Sequence, residues 1–319
     1  MCGALVASAI RRAVSADRSR FGAFVSSDAS SRPRTFPHVV CPAAMKTGRA
    51  KLRMLVGACV CLLALIGPAV AEEQRPWELQ IGAGIAYMPD YSGARASAPR
   101  LRVWADGAFR TADLGTFAID SGSLTIDPEF RWDVVDRPDL GAGVLVGYRF
   151  GRNSSNPSFT SANDGSARLA GLADVSGAFD IGFAGHVMVL GVPLFAQVRS
   201  ALSGAQGTIV NVGFYVPVSP GSTVELVLLP TMTWANARQM RAFYGVSATE
   251  SAASNFPAYS PGAGWENAAL EVSADWSAGH GLHLLASLAY QRLLSIPGAS
   301  PLVQTRNQAS ALAGLAWSF

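Results

Sequence analysis

The amino-acid sequence predicts an all-β protein, a transmembrane antiparallel β-barrel of about 12 strands. Of its 319 residues, 50% are hydrophobic and only 15% are charged, whereas soluble domains carry about 25% charged residues. Only one uninterrupted apolar stretch occurs, although a helical membrane protein needs several runs of about 20 apolar residues. Elsewhere apolar residues alternate with polar or small ones, and the chain contains 32 glycines. This alternation is typical of membrane barrels.

The N-terminal part of the chain contains a predicted secretory signal peptide at residues 45–71. A basic region that begins at Lys46 precedes the apolar segment Leu55–Ile66, and Ala69–Ala71 has small residues where the signal peptidase requires them. We therefore expect cleavage after Ala71 and a mature barrel at residues 72–319. Residues 1–44 precede an internal methionine and have no structural pattern, so we interpret them as an upstream extension from a start codon assigned too early, with a real leader extension as the alternative.

Removal of the signal peptide changes the charge of the chain. The full sequence has a net charge of +3, but ten of its 25 basic and two of its 22 acidic residues precede Glu72, so the mature net charge is −5. All four cysteines are also lost. The absence of thiols suits export through an oxidising periplasm. The acidic balance gives no reason to expect nucleic acid as a partner.

Side chains with a period of two define the clearest strands. In Trp77–Tyr87, apolar side chains occupy one face, while Glu78, Gln80 and small residues occupy the other. Leu124–Asp133, Leu140–Phe150 and Asn267–Asp275 alternate in the same way, and Pro128 predicts a bulge or a strand end. A soluble β-sandwich also alternates, but its outward faces would be polar and its strands shorter than the ten residues or so that a tilted membrane strand needs.

Aromatic residues stand at or near the ends of the predicted strands. Such positions are typical of the aromatic girdles at the two membrane interfaces. The residues are Trp77, Tyr87, Trp132, Tyr148, Phe150, Trp234, Trp276 and Trp317.

The connections between strands alternate between short and long. Short ones are predicted at Asp136–Asp139, Leu190–Gly191, Ser219–Ser222 and Ala278–Gly281, and long ones at Arg152–Asp174, Asn236–Trp265 and Ser295–Arg306. In bacterial barrels short turns are periplasmic and long loops extracellular, so both termini are predicted to be periplasmic. The segment Ala105–Gly122 is least clear. If Asp113–Gly115 divides this segment into two strands, the total is twelve; ten and fourteen strands are the alternatives.

The C-terminus carries a predicted assembly signal. Trp317 and Phe319 fall on the apolar face of the last strand, which must pair with Trp77–Tyr87 to close the barrel. A terminal aromatic residue on such a strand is the address that the barrel assembly machinery recognises. We therefore expect the protein in the outer membrane of a Gram-negative bacterium, surrounded by outer-membrane lipid.

Charged residues on the inner faces of the predicted strands are expected to pair across the lumen. An unpaired charge in a low-dielectric wall costs several kcal/mol, and a barrel of this size has limited interior space. A partly occluded pore is therefore expected, with selection of a small solute as the alternative. The set comprises Glu129, Arg131, Arg149, Asp180, Arg199, Glu225, Glu271 and Asp275.

Catalytic chemistry is not expected. Known barrel enzymes use histidine as a base, and the mature chain has only His186, His280 and His283. These histidines are predicted far from the extracellular rim and lack the spacing of metal ligands. The glycines fall at strand parity rather than at a strand-to-helix turn, which excludes a phosphate-binding loop. We predict no enzyme activity, no cofactor and no metal site.

Short motifs occur in order from the first predicted strand to the last. They are Tyr87–Gly93, Gly147–Arg152, Gly171–Val175, Thr233–Ala235, Phe243–Val246, Tyr259–Gly264, Tyr290–Leu294 and Ser300–Val303. Together they resemble the MipA/OmpV family, which comprises MltA-interacting protein and its outer-membrane relatives. The resemblance implies an outer-membrane scaffold that links a periplasmic murein lytic transglycosylase to a murein synthase. Other members are described as porin-like or adhesive, so a small-solute channel and a surface adhesin are alternatives.

Overall fold

The computed structural model describes residues 76–218 and 223–319. Within these ranges the chain forms a closed antiparallel barrel of twelve strands, which confirms the predicted fold class and strand number. The predicted extension 1–44, the signal peptide 45–71 and its cleavage position after Ala71 lie outside the described residues. The strands are β1 (Trp77–Pro89), β2 (Ser97–Thr111), β3 (Gly115–Asp120), β4 (Glu129–Asp136), β5 (Leu140–Arg149), β6 (Arg152–Asn153), β7 (Asp164–Gly165), β8 (Ala178–Val189), β9 (Val192–Ala201), β10 (Thr208–Phe214), β11 (Val216–Pro217), β12 (Val224–Ala235), β13 (Gly264–Gly279), β14 (Leu282–Leu293) and β15 (Asn307–Ser318).

Neighbouring strands of the barrel follow one another along the chain. The order is β1, β2, β3, β4, β5, β8, β9, β10, β12, β13, β14 and β15, with β11 continuing β10 along β12 and the short pair β6–β7 forming a separate sheet. The first and last strands pair from Gln80–Ser318 to Tyr87–Ala311, and the Phe319 N–H donates to Leu79 O at 2.9 Å. Pairing of both edges satisfies the backbone groups that lipid cannot.

Successive side chains point alternately to the outer surface and to the lumen. On β8, Phe179, Ile181 and Phe183 are at least 51% exposed, whereas Asp180 is fully buried. Aromatic side chains stand near both ends of this outer surface, among them Trp77 and Trp317 at one end and Tyr87 and Tyr290 at the other. The outer surface therefore has the apolar band and the two aromatic girdles of a membrane barrel.

The two ends of the barrel differ in their connections. Short turns at residues 112–114, 137–139, 190–191 and 280–281 lie at the end that carries Trp77 and Phe319, which we call the turn end. Leu190 and Gly191 have φ of 51° and 79°, as a two-residue type I′ hairpin requires. The predicted turn at Ser219–Ser222 lies outside the described residues. Longer connections form the opposite end, the loop end; they are residues 90–96, 121–128, 150–177, 202–207, 236–263 and 294–306.

Helical segments occur in the loops. They are a 3-10 helix (Ala167–Leu169), α1 (Ala237–Tyr244), α2 (Ala248–Ala253) and α3 (Ser295–Gly298). Asn236 caps α1 by accepting a hydrogen bond from Gln239 N, and Ser247 with Glu250 forms a capping box at α2. Of the helices in the described ranges, none has the length and apolar character to span a bilayer.

One predicted strand is wrong in its first half. The alternation predicts a strand at Leu124–Asp133, but β4 begins only at Glu129, and residues 121–128 reach into the lumen. Leu124 and Ile126 are shielded by the barrel interior instead of by lipid. Pro128 stands directly before β4, because it has no N–H for the strand ladder. The expected split near Asp113 is present as the turn 112–114 between β2 and β3.

Candidate functional site: an occluded lumen

A cluster of buried charges from four neighbouring strands lies in the lumen toward the loop end. Arg199 on β9 donates from Nε and Nη2 to the Asp180 carboxylate on β8 at 3.1–3.2 Å. Arg149 on β5 places Nε 2.9 Å from Asp180 Oδ2 as an ion pair, and Glu129 on β4 lies 3.8 Å from Arg199 Nη1. All four residues are at most 5% exposed. One carboxylate, Asp180, therefore holds two guanidinium groups.

A glycine on β5 makes room for this charged cluster. Gly147 pairs in register with Asp180. A Cβ atom at position 147 would lie 1.8 Å from Arg199 Nη2 and 2.6 Å from Asp180 Oδ1. Any side chain at this position would displace the Arg199–Asp180 pair. Because Gly147 has none, Arg199 can extend from β9 past β8 to the inner face of β5.

A smaller network continues toward the turn end. Arg131 on β4 bridges Glu129 at 3.2 Å and Asp133 at 2.8 Å. Together with His186 on β8 and Gln197 on β9, Arg131 and Asp133 line a recess in this half of the lumen. Gln197 is 2% exposed, and its Oε1 has no hydrogen-bond partner among the described residues. The recess is thus polar but ends at the buried charges above it.

Residues 121–128, which we call the inward segment, cross the lumen from β3 and β4 toward the opposite wall. On that wall Glu271 of β13 accepts hydrogen bonds from Thr125 Oγ1 at 3.0 Å and from Leu124 N at 3.4 Å. On the near side, Arg199 donates to the carbonyl oxygens of Asp127 and Pro128, both at 3.0 Å. The inward segment is therefore fixed at both of its ends by buried charged groups.

Apolar side chains fill the lumen beside the inward segment. Trp104 on β2 packs against Ala86, Leu285 and Leu312 from the neighbouring strands, and Leu124 of the inward segment packs against the same group. A Cβ atom at Gly82 would lie 2.3 Å from the Trp104 ring, so the indole rests directly on the β1 backbone. This half of the lumen is closed by packing, as the other half is closed by charges.

Four loops pack together into a cover at the loop end, which we call the loop cap: residues 90–96, 150–177, 236–263 and 294–306. Its buried apolar centre takes residues from every one of these loops, namely Tyr91, Ala94, Leu169, Leu172, Val246, Phe256 and Leu302. Tyr244 ties the cap further, because its hydroxyl lies 2.8 Å from Glu266 Oε1 and 2.7 Å from Ser92 Oγ. Burial raises the pKa of Tyr244 well above its usual value, so its hydroxyl stays protonated as the donor to Glu266.

Helix α1 joins the loop cap to the charged cluster. Gln239 Oε1 accepts hydrogen bonds from Arg149 Nη1 at 3.1 Å and from Gly207 N at 2.9 Å. Arg152, just beyond β5, donates to Phe243 O at 2.6 Å. Desolvation lowers the pKa of Arg152 despite the carboxylate of Glu250 nearby. From the loop end downward, the lumen thus contains the cap, the charged cluster, the inward segment and the recess.

The remaining predicted site residues lie outside this stack. Asp275 pairs with His283 Nδ1 at 2.7 Å near the turn end, and both are partly exposed. Glu225 lies 3.4 Å from the Tyr215 hydroxyl. Trp317 and Phe319 are about half exposed on the outer surface. Within residues 76–218 and 223–319, no group of three or more His, Cys, Asp or Glu side chains is arranged to hold a metal ion.

Several interior residues on β2 were missed by the sequence reasoning. Arg100, Trp104 and Asp106 are all at most 6% exposed, and Arg100 pairs with Asp164 of the loop cap at 3.0 Å. On β2, these even-numbered residues alternate with outward-facing residues at odd positions, such as Leu101 and Val103. That alternation, applied to β2, would have identified them as lumen residues.

Comparison with known proteins places this barrel in a family. Residues 81–319 match the family model described as MltA-interacting protein MipA. The chain belongs to the MipA family. This family membership and the barrel with its apolar outer band make it an outer-membrane protein. A search among curated proteins gave no match.

Solved structures similar to this MipA-family barrel are also outer-membrane barrels. A loop L8 deletion mutant of OmpT from Vibrio cholerae is 9% identical with a TM-score of 0.34, over 76% of this chain and 98% of that one. OprB of Pseudomonas putida is 16% identical with a TM-score of 0.33, over 70% and 59%. The translocator domain of NalP from Neisseria meningitidis is 12% identical with a TM-score of 0.31, over 85% and 96%. The fold assignment rests on the strand pairing itself and on the family match.

Proposed function

We propose that this MipA-family barrel is a scaffold in the outer membrane that holds a murein lytic transglycosylase and a murein synthase at its periplasmic side. The observation that carries the proposal is the filled lumen. A diffusion pore needs a continuous path of water, whereas here buried ion pairs, the inward segment and the loop cap follow one another along the axis. The family description names an interaction with MltA, which supports a partner-binding role.

We infer that the turn end faces the periplasm and carries the partner surface. The short turns lie there, and so do the start of β1 and the end of β15. This arrangement is usual on the periplasmic side of bacterial barrels. Leu190 is fully exposed at the tip of the β8–β9 turn, and Leu114 is 59% exposed at the β2–β3 turn. Exposed leucines at turn tips beside the acidic residues Asp113 and Asp139 offer a mixed surface for a periplasmic enzyme.

The test is retention of the two enzyme classes on immobilised mature barrel. A purified murein lytic transglycosylase and a purified murein synthase are passed over it separately and together. We expect both to be retained, and Leu190→Asn to weaken retention. Asparagine tolerates the left-handed backbone at position 190, so this variant alters the surface without disturbing the turn.

Leu202→Asn is the matched control, because Leu202 is 64% exposed at the loop end. It should retain both enzymes like the unaltered barrel. Failure of the unaltered barrel to retain either enzyme would refute the scaffold. Equal loss at both leucines would refute the assignment of the partner surface to the turn end.

A small-solute channel is the second candidate, and the polar recess around Arg131 and Gln197 favours it. Planar-bilayer recording separates the two functions. We expect the unaltered barrel to remain closed and Glu271→Ala to produce intermittent conductance, because the variant removes the acceptor that holds Thr125 and Leu124. Steady conductance of the unaltered protein would favour the channel over the scaffold.

A further inference from the structure

The loop end presents a surplus of positive charge. Six arginines are exposed there: Arg95, Arg168, Arg238, Arg241, Arg292 and Arg306. Among the described loop-end residues, Asp174 is the one acidic residue with comparable exposure. At the turn end the balance is reversed, since Asp113 and Asp139 are exposed and Arg137 is paired with Asp139. The barrel is therefore electrostatically polarised along its axis.

Three of these arginines converge where β14, β15 and the 90–96 loop meet; we call them the arginine patch. Arg292 pairs in register with Asn307, and Arg306 directly precedes Asn307, with its carbonyl accepting from Leu293 N at 2.8 Å. The backbone N–H of Arg95 donates to Gln304 Oε1 at 3.0 Å, two residues before Arg306. Three cationic side chains thus arise from one small area of the rim.

Local hydrogen bonds hold two of these guanidinium groups and leave donors available. Arg306 donates from Nε to Gly298 O at 3.0 Å, so the two Nη groups remain for a ligand. Arg292 makes one long contact from Nη1 to Asn307 Oδ1, at 3.4 Å. No ion pair within residues 76–218 and 223–319 includes an arginine of the patch. A guanidinium group that is held in place by one hydrogen bond and keeps further N–H donors is well suited to bind the oxygen atoms of a phosphate.

The patch is continuous with the aromatic girdle at the loop end. Tyr290 lies two residues before Arg292 on the same outward face of β14 and is 51% exposed, and Tyr87 on β1 is 54% exposed. Aromatic girdles mark the boundary between acyl chains and headgroups. The Arg292 side chain therefore emerges at the level of the lipid headgroups, above a surface that contacts acyl chains.

We propose that the arginine patch binds the phosphate groups of a phosphorylated glycolipid in the leaflet at the loop end. The patch carries three positive charges and contains no carboxylate. A headgroup with a single phosphodiester has one negative charge and would leave part of the patch unused. A glucosamine-based headgroup with two phosphates matches it in charge, while its acyl chains lie along the outward faces of β14, β15 and β1. The loop end would accordingly face the outer leaflet, consistent with its basic surface.

The experiment measures binding of defined lipids to the folded, detergent-solubilised mature barrel by native mass spectrometry. The probes are bisphosphorylated lipid A, its monophosphorylated form, phosphatidylglycerol and inorganic phosphate. Arg95, Arg292 and Arg306 are replaced by glutamine singly and together. Arg137, Arg168 and Arg241, replaced together, provide a control with the same change of charge. Heat-modifiable migration verifies folding of each variant.

We expect tightest binding of bisphosphorylated lipid A and about a fivefold loss for each patch arginine removed, since one arginine near an anionic surface contributes about 1 kcal/mol. The control variant should bind like the unaltered barrel. If the triple variant fails to fold, the single variants carry the test. Equal affinity of patch and control variants, or equal binding of phosphatidylglycerol or inorganic phosphate, would overturn the proposal.

Discussion

The charged cluster in the lumen predicts a large difference between two aspartates with similar contacts. Asp180 and Asp139 each pair with an arginine at 3.0–3.1 Å, but Asp180 is fully buried, whereas the side chains of Asp139 and its partner Arg137 are 67% and 61% exposed. Asp180→Asn removes the carboxylate that compensates Arg149 and Arg199 at almost unchanged volume. Asp139→Asn makes the same chemical change in water.

The magnitude follows from burial. Removing one partner of a buried ion pair costs about 3–5 kcal/mol, because a charge is left without compensation. Glu129 lies 3.8 Å from Arg199 and compensates part of that charge, so we expect the lower half of this range for Asp180→Asn. An exposed pair contributes about 0–1 kcal/mol, and this range applies to Asp139→Asn.

The assay is reversible urea unfolding of the mature barrel in lipid vesicles, followed by tryptophan fluorescence. Both variants are compared with the unaltered protein at one pH and one salt concentration. Partial restoration of stability in a double variant that also replaces Arg199 by methionine, in which Arg149 alone stays uncompensated, would identify the uncompensated charge as the cause. A loss of less than about 1 kcal/mol for Asp180→Asn, the size expected of an exposed pair, would refute a structural role of the cluster.

Three further predictions concern other parts of the barrel. Gly147→Ala should lower the free energy of unfolding by about 1–3 kcal/mol, because the new Cβ displaces Arg199. Gly262→Ala is the control, since open space surrounds that position, and its free energy of unfolding should change little. Equal urea midpoints for the two variants would contradict this prediction. Burial alone would raise the pKa of Glu250, but hydrogen bonds from Ser247 N and Ala173 N outweigh it and lower the pKa. The contribution of Glu250 is therefore complete above its usual pKa near 4.5 and is lost as the pH falls through the lowered value. Hydrogen-exchange protection factors of the loop cap, which correct for the intrinsic pH dependence of amide exchange, should fall on acidification, and a Glu250→Gln variant with an unchanged acid response would exclude Glu250 as the cause. Deletion of Phe319 removes about 2 kcal/mol of burial at most, so a disproportionate loss of outer-membrane protein is expected if it is an assembly signal; normal levels of folded protein would show that it only packs.

The barrel wall could be predicted from the sequence because lipid and lumen impose opposite preferences on successive residues. On β1 and β5, the outward residues are mostly apolar and the inward ones mostly small or polar, and the two faces are as the period of two requires. The turn at Leu190–Gly191 could be located because Gly191 tolerates a left-handed backbone. These features depend on neighbours along the chain or on the membrane, both of which the sequence specifies directly.

The contents of the lumen could not be predicted in the same way. Leu124 and Ile126 continue the alternation of Phe130 and Trp132, but Ile126 is buried and Leu124 partly buried in the lumen, whereas Phe130 and Trp132 face lipid. An alternating pattern indicates that a face is apolar, but it does not tell whether that face contacts lipid or the packed interior of the lumen. The contacts of Glu271 with Thr125 and of Arg149 with Gln239 join residues 146 and 90 positions apart, and no local pattern encodes such pairings.

The buried charges also specify the register of the wall. Asp180 stands beside Gly147 on one side and Arg199 stands beside Gly182 on the other, so each large polar group faces a position without a side chain. A slip of β8 or β9 by one residue would turn its charged side chain toward the acyl chains. An arginine on the lipid face costs about 2–4 kcal/mol at the bilayer midplane and less toward the interfaces, and the cluster would lose a partner as well. The cluster can therefore contribute little net stability, as buried ion pairs often do, and still exclude every one-residue alternative along β5, β8 and β9. A register fixed in this way would also set which residues form the β4–β5 and β8–β9 turns at the turn end, as the proposed scaffold requires.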